Sequence, residues 1–261
     1  MTIVVPPVPD PPLGRETVLG KAMLILQAFT VERTTLSLVE LHDRTGLAKA
    51  TLHRVATDLV TSGLLDRVHG RYRLSGLVFE LGMRASVERS LLDVAVPFLQ
   101  DLYERTHETV HLGVREGREV VYVAKMGGHN QAESPSRLGG RMPLHATAIG
   151  KALLAFAPPE VQAEVLGASL AQTAPRTMVN RGVLAAQLAT VVERGVSFEY
   201  EESAVGVICV GAPVLDRDDE VVAAVSVTGP ATRFQPVRHA PAVRAAASGI
   251  AATLARRAAQ H

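Results

Sequence analysis

Ser37-Leu38-Val39-Glu40-Leu41-His42-Asp43-Arg44-Thr45-Gly46, followed by Leu47-Ala48-Lys49-Ala50-Thr51-Leu52-His53-Arg54-Val55-Ala56-Thr57-Asp58-Leu59, decides how the first part of the chain folds. Ser37 stands three residues before Glu40, the spacing of a capping box at a helix start. Gly46, after Thr45, supplies the left-handed position that ends the helix. The spacing predicts a second helix over Ala48–Ser62, closed by Gly63, with Leu52, Val55 and Leu59 inward. Lys49, Thr51, His53, Arg54 and Thr57 then lie on its other faces. Leu64–Asp66 and Tyr72–Leu74 read as short strands around Arg67-Val68-His69-Gly70-Arg71, a basic hairpin. In a helix-turn-helix the second helix enters the major groove and presents its N-terminal residues to base edges. The residues in place for this are Ser37, Lys49, Thr51, His53 and Arg54, with Arg67, Arg71 and Arg73 on the hairpin as a wing along the backbone. Arginine can read guanine through two bonds, and threonine can touch a thymine methyl or a phosphate. The competing reading of the same pattern is a small three-helix domain with a solvated basic face.

Upstream, residues 16–30 have helical periodicity, with Val18, Ala22, Ile25 and Phe29 on one face. Leu19, Met23 and Leu26 widen the apolar arc beyond the usual stripe. Such a helix needs a second surface to cover it, and in so small a domain that surface can be another subunit. Residues 6–12 hold five prolines in seven positions, which excludes helix and central strand, so residues 1–14 read as an arm. Residues 14–74 carry nine Lys/Arg and six Asp/Glu, net +3, whereas residues 75–261 carry eighteen and nineteen, net −1. The basic part of the chain is therefore the part with the helix-turn-helix pattern.

Downstream, residues 76–90 read as a helical connector and Leu91–His107 as a helix that Pro97 kinks or restarts. Thr109–Arg115 alternates as a half-buried strand, Glu119–Lys125 comes next after a turn, and residues 126–141 read as loop. Helices at Ala146–Phe156, Pro159–Leu166, Val183–Arg194 and Pro241–Ala259 intersperse strands at Val196–Tyr200, Val207–Leu215 and Glu220–Val227. Helices on a mostly antiparallel sheet make an α+β second domain. The expected division is an arm at 1–14, a winged helix-turn-helix domain at 15–75, a linker helix at 76–90 and a ligand domain at 91–261.

Composition narrows the function. The 261 residues are 47% hydrophobic and 20% charged, with 27 Lys+Arg against 26 Asp+Glu. A net charge of +1 excludes a generally polycationic coat protein. A single cysteine excludes a disulfide framework and a multi-cysteine zinc module, and fits a reducing cytoplasm. No apolar run approaches the ~20 residues of a membrane span, and Met1–Val5 lacks the features of a secretory signal. Aromatics at 4%, with no Trp, argue against an aromatic-lined carbohydrate cleft. Gly150-Lys151-Ala152 fails the phosphate-loop pattern twice, because position 145 is His and no Ser or Thr comes after the lysine. Cys209 sits in an apolar strand, which suits core packing better than nucleophilic catalysis. His107 and His111 are four apart, but a change from helix to strand falls between them. No catalytic constellation and no cofactor site emerges, so an enzyme of small-molecule metabolism is the weaker reading. A DNA-binding protein without an effector is the other alternative.

Several motifs, in one order, resemble the IclR family of bacterial transcriptional regulators. Val18–Ala22, Ser37–Leu41, Thr45–Arg54 and Tyr72–Leu74 are similar to the family's winged-helix half. Pro143–Ala152, Arg194–Glu202, Gly206–Val210 and Ser226–Pro230 are similar to its effector-domain signatures. The resemblance spans about residues 15–258 and implies a winged helix, a linker helix and a GAF-like effector domain, assembled as homodimers or dimers of dimers. It also implies an effector pocket against the sheet at Glu199, Cys209, Ser226 and Thr228, capped by Ala148 and Ile149. Many members carry Asp at the Glu199 position and Ser at the Thr228 position, so ligand identity does not transfer. The resemblance thus leads us to expect a cytoplasmic regulator of a catabolic operon, with a double-stranded operator and a small organic acid as partners. Free amides at the helix start near Ala148 suit an acid, while Ser226 and Thr228, two apart on a strand, face the same side.

Overall fold

The computed structural model describes residues 16–84, 86–128 and 131–259, and the Pro-rich arm lies outside them. The chain divides into two compact units, the first ending at Ser86 and the second starting at Val87.

In the first unit, α1 (Val18–Gln27), β1 (Thr35–Leu36), α2 (Leu38–Thr45), α3 (Lys49–Thr61), β2 (Leu65–Val68), β3 (Arg71–Leu74) and α4 (Gly76–Met83) succeed one another. The capping box forms as the spacing requires: the Glu40 amide donates to Ser37 Oγ at 3.3 Å and the Ser37 amide to Glu40 Oε2 at 2.7 Å. Gly46 ends α2 with φ of 68°. The core joins Ile25 of α1, Leu41 of α2, and Leu52, Val55 and Leu59 of α3 to Leu36, Leu65 and Tyr72 of the small sheet. The hairpin is tighter than expected. Its strands run to Val68 and from Arg71, so His69-Gly70 alone makes the turn, both with positive φ (49° and 78°). That is the backbone that two-residue hairpin turns favour. The two-residue β1 pairs with β3 and completes a sheet of order β1-β3-β2, too short a strand to announce itself by alternation.

The second unit is built from α5 (Ser86–Thr106), β4 (Thr109–Glu116), β5 (Glu119–Met126), β6 (Arg141–Pro143), α6 (Ala148–Ala155), α7 (Pro159–Gly167), α8 (Arg181–Arg194), β7 (Ser197–Tyr200), β8 (Val207–Leu215), β9 (Val221–Pro230) and α9 (Pro236–Ala258). Helix α5 starts before the expected Leu91 and runs through Pro97 without a restart. Likewise α9 starts at Pro236, with Pro241 inside it. All six strands form one antiparallel sheet of order β6-β5-β4-β9-β8-β7. Val110, Leu112, Val210, Ala212, Val225 and Val227 point to one face, where they pack with Leu99 of α5 and Val243 and Ile250 of α9. On the opposite face Val120, Tyr122 and Ala224 pack with Ile149 and Leu153 of α6 and Leu188 of α8. Burying each large aliphatic side chain is worth ~1.5–3 kcal/mol, so two apolar layers fix the sheet's register and leave its other inward positions to polar residues.

Candidate functional site

Each unit carries one candidate site. In the first, Lys49, His53 and Arg54 are exposed on α3, as is Thr57, while Thr51 is partly buried. Inward Leu52, Val55, Ala56 and Leu59 leave the opposite face of α3 free for a partner. Ser37 is the N-cap of α2, so its oxygen is occupied and its hydroxyl proton is what remains to donate. Two wing arginines are held within the domain. Arg71 Nη2 donates to Glu40 Oε2 at 2.8 Å and to the Thr35 carbonyl at 3.1 Å, and Arg73 Nε donates to Asp66 Oδ2 at 2.9 Å. Arg67 lies over the Tyr72 ring, 5.7 Å from its centroid. Exposed pairs of this kind are worth ~0–1 kcal/mol and can be traded for a phosphate, but the charge the wing offers is smaller than three arginines suggest. The Glu40 carboxylate thus caps α2 and orients Arg71 at once, a pairing across β3 and α2 that sequence spacing does not reveal.

In the second unit the sheet register aligns four of the six effector positions on one face. Glu199 faces Cys209, Cys209 faces Thr228, and Thr228 faces Thr109, a row across β7-β8-β9-β4. The next row on that face runs Ser197, Gly211, Ser226, His111 and Lys125. The start of α6 lies directly over these rows. Ser197 Oγ donates to the Ala148 carbonyl at 2.6 Å, and Ala148 packs with Cys209. The approach is close at Gly211, where a Cβ would stand 3.0 Å from the Ala148 carbonyl carbon and from Ser197 Oγ, so any larger residue would push on the start of α6. Thr147 caps α6 by accepting the Gly150 amide at 2.9 Å, and the Ala148 and Ile149 amides, in the first turn, have no acceptor within the helix. Ala148 and Ile149 are themselves fully buried, Ile149 against Val120, Tyr122 and Leu153.

The residue at the centre of this face is one that sequence reading weighed only as half of a metal pair. His111 Nε2 bonds Ser136 Oγ at 2.7 Å, and its Nδ1 lies 3.5 Å from Ser226 Oγ and 3.4 Å from Thr228 Oγ1. Burial, with Lys125 adding repulsion, pushes its pKa down to about 3, so the ring is neutral at physiological pH. Cys209 Sγ lies 3.1 Å from Thr228 Oγ1, and burial raises the thiol well above its ordinary range. The alternation of Thr109, His111 and Gly113 on one strand was the signal available for His111. Ser136 carried none, because a loop brings it in, and Lys125 of β5, whose Nζ donates to the Ser136 carbonyl at 2.6 Å, reaches the site only through its pairing with His111 across β4 and β5. His107 stands beyond the end of α5 with φ of 53°, in ring contact with Tyr103.

Glu199 is wholly buried, and its Oε1 accepts the Glu202 and Ser203 amides at 2.7 and 3.0 Å and Ser203 Oγ at 3.2 Å. Its Oε2 has no hydrogen-bond partner, and neither has Gln131 Nε2, whose amide oxygen accepts from Thr109 Oγ1 at 2.6 Å. Burial raises the Glu199 pKa, opposed by the Cys209 thiol and those two amides. Lys151, the lysine of the failed phosphate-loop pattern, is buried instead, with Nζ 2.6 Å from Glu202 Oε1 and 3.2 Å from the Phe198 carbonyl. Glu202 is thus a buried carboxylate held by a buried lysine. Among the described residues no helix is long and apolar enough to cross a membrane.

Comparison with known proteins places this architecture. A profile described as the bacterial transcriptional regulator IclR C-terminal domain matches residues 83–252, and the IclR helix-turn-helix profile matches residues 18–69. The chain is 36% identical over 211 residues to the transcriptional regulator XynR of Escherichia coli, covering 80% of this chain and 84% of that one. It is 33% identical over 221 residues to KdgR of the same organism, covering 84% of each. Among solved structures, an IclR homolog from Microbacterium hydrocarbonoxydans complexed with 4-hydroxybenzoate superposes with a TM-score of 0.85 at 30% identity, over 92% of this chain and all of that one. Thermotoga maritima IclR gives 0.75 at 30% identity, over 91% and 98%. With a helix-turn-helix and paired wing in one unit and a six-stranded sheet under an α6 cap in the other, the chain belongs to the IclR family of DNA-binding transcriptional regulators.

Proposed function

We propose that the protein binds a pseudo-palindromic operator as a homodimer or dimer of dimers, reading bases through Lys49, Thr51, His53 and Arg54 and the backbone through Ser37 and the wing. Support for the dimer comes from α1, whose Val18 and Leu19 are 59% and 61% exposed although the helix is apolar on most sides. A small organic acid carrying a hydroxyl or keto group, from a catabolic pathway in the cytoplasm, sets DNA affinity. What carries this reading is the two adjacent rows that hold Cys209 and Thr228, and Ser226 and His111, beneath the first-turn amides of Ala148 and Ile149. The amides suit a carboxylate. The neutral His111, the two hydroxyls and the raised Glu199 carboxyl suit a ligand hydroxyl or carbonyl, because none of them need repel it. The relative bound to 4-hydroxybenzoate holds a ligand of this class. Effector binding shifts DNA affinity only through its different affinities for two arrangements of the protein.

The test is fluorescence anisotropy with labelled operator, titrated with a panel of hydroxy and keto acids that includes 4-hydroxybenzoate. A panel member should shift DNA affinity, and the Ser226→Ala/Thr228→Val variant should lose that response with ligand-free DNA affinity unchanged. An unchanged half-saturation in the double variant would move the pocket elsewhere.

A further inference from the structure

The side chains of the candidate effector face are closed off from solvent: His111, Cys209, Ser226 and Thr228 are each at most 7% exposed. A ligand reaches them only when something above them moves. Two pieces of chain lie there. One is α6, whose residues 148–155 are all buried between the sheet and α8. Displacing it would return an apolar layer to water. The other is the segment 131–138, which forms neither helix nor strand. Its Glu133, Pro135, Arg137 and Leu138 are exposed, and only Ser136 is buried. Among the described residues, three hydrogen bonds tie this segment to the sheet. Thr109 Oγ1 donates to Gln131 Oε1 at 2.6 Å, Ser136 Oγ lies 2.7 Å from His111 Nε2, and Lys125 Nζ donates to the Ser136 carbonyl at 2.6 Å. Ala132 packs against the cluster of Ala148, Val207 and Cys209. Just beyond, Gly139, with φ of 70°, donates to the Tyr122 carbonyl at 2.8 Å, and the Tyr122 amide donates to the Gly140 carbonyl at 3.1 Å, which pins that end to β5.

We propose, resting on the effector reading of that face, that residues 131–138 form a lid hinged at Gly139, latched by Ser136 to His111 and Lys125, and that its opening admits the effector. A hydrogen bond is a modest net term, because water replaces the partner that is lost. A mostly exposed segment held by three such bonds therefore opens far more readily than a buried helix. The latch also senses the ligand. His111 holds Ser136 through Nε2 and faces Ser226 and Thr228 through Nδ1. In a neutral imidazole one nitrogen donates and the other accepts. A ligand group that bonds Nδ1 thus fixes which role Nε2 plays toward Ser136, so binding and lid closure act on one ring.

Cys209 is the chain's one cysteine and lies in the cluster that Ala132 covers. Its reaction with a pyridyl disulfide reagent therefore reports opening with no effector present. Labelling of the full-length protein should be slow and should rise only weakly with urea below the unfolding transition, as local opening does. Ser136→Ala should speed it roughly fivefold, the loss of one net hydrogen bond, and Lys125→Met roughly tenfold or more, the loss of a charged one. Both should melt within a few degrees of wild type, since Lys125 is exposed and Ser136 lies in the segment itself. Where an acid of the panel binds, its stopped-flow association rate should rise in Ser136→Ala by the same factor as the labelling, because opening precedes entry. The lid is overturned if both variants label like wild type, if labelling climbs with urea as steeply as global unfolding, or if association stays unchanged while labelling quickens. Faster labelling in both variants with no acid bound would uphold the lid and sink the effector reading, so the two fail separately.

Discussion

Replacing Lys151 by Met tests the electrostatic interior of the effector domain directly. The Lys151 side chain is 1% exposed and that of Glu202 is 7% exposed, with Nζ and Oε1 at 2.6 Å. Methionine keeps much of the volume but removes the charge, leaving Glu202 with one carboxylate oxygen already unpartnered and the other newly so. It also strips the Phe198 carbonyl of its donor. Breaking a buried pair by removing one partner costs ~3–5 kcal/mol, mostly through the charge left behind. For a unit of this size, 1 kcal/mol moves the melting temperature by ~2–4 °C, so Lys151→Met should melt roughly 10 °C or more below wild type. The paired variant Lys151→Met/Glu202→Leu removes both charges and should recover most of the loss, because an apolar replacement of a buried pair is often neutral. Circular dichroism melts of the wild type, both single variants and the double variant form a cycle whose coupling energy isolates the pair. A Lys151→Met melt within ~3 °C of wild type, or a double variant no better than the single, would show that the pair is solvated and the reasoning wrong.

Arg54→Ala should cost ~1–3 kcal/mol of operator binding and relax base preference, whereas Lys49→Ala should weaken all sequences alike and reduce the salt slope; anisotropy titrations at several salt concentrations separate the two, and no change in either would remove α3 from the interface. Leu19→Glu should weaken dimerisation more than it lowers the melting temperature, as read by sedimentation, because Leu19 is 61% exposed and contributes little to its own domain's core. For His111, with an unfolded pKa near 6.5 and a folded one of about 3, the native state excludes a proton that the unfolded chain accepts. The stability from keeping it neutral is complete above pH 6.5 and is lost as pH falls, at ~1.4 kcal/mol per unit. Between pH 6.5 and 5 the wild type should therefore lose ~2 kcal/mol more than His111→Gln, and parallel melting curves for the two would refute a neutral buried ring.

Local signals were the legible ones. The capping box at Ser37 and Glu40, the left-handed Gly46 and the inward Leu52, Val55 and Leu59 all depend on residues within one or two turns of each other, and all appear in the structure. The alternation on the effector-domain strands gave the two faces of the sheet. What could not be read was pairing over distance. Glu40 meets Arg71, Lys151 meets Glu202, and His111 meets Ser136 across 31, 51 and 25 residues, and each partner alone looked like an ordinary surface or core residue. The short strands β1 and β6 escaped for a related reason: two or three residues cannot show a period, and only their neighbours define them.

Those long-range pairs also tie one short turn to both the sheet face and α6. Glu199 uses one carboxylate oxygen to fasten the turn at 202–203 and leaves the other unpartnered beside Cys209. The same turn carries Glu202, which anchors α6 through Lys151, and the N-terminus of α6 presents Ala148 and Ile149 over the sheet. Any group that bonds Glu199 Oε2 alters the charge on a carboxylate whose other oxygen sets the turn, and so acts on the helix that covers this face of the sheet. A shorter Asp at this position would retreat from either the turn or the sheet face, since the two contacts diverge from one carboxyl. Glu199→Asp is therefore the substitution that should loosen the α6 cap while leaving the apolar layers beneath α9 intact. In hydrogen exchange it would appear as faster exchange in 148–155 and 199–206, with 210–214 and 223–227 unchanged. Uniform exchange across all four segments would mean that the turn does not link Glu199 to the cap.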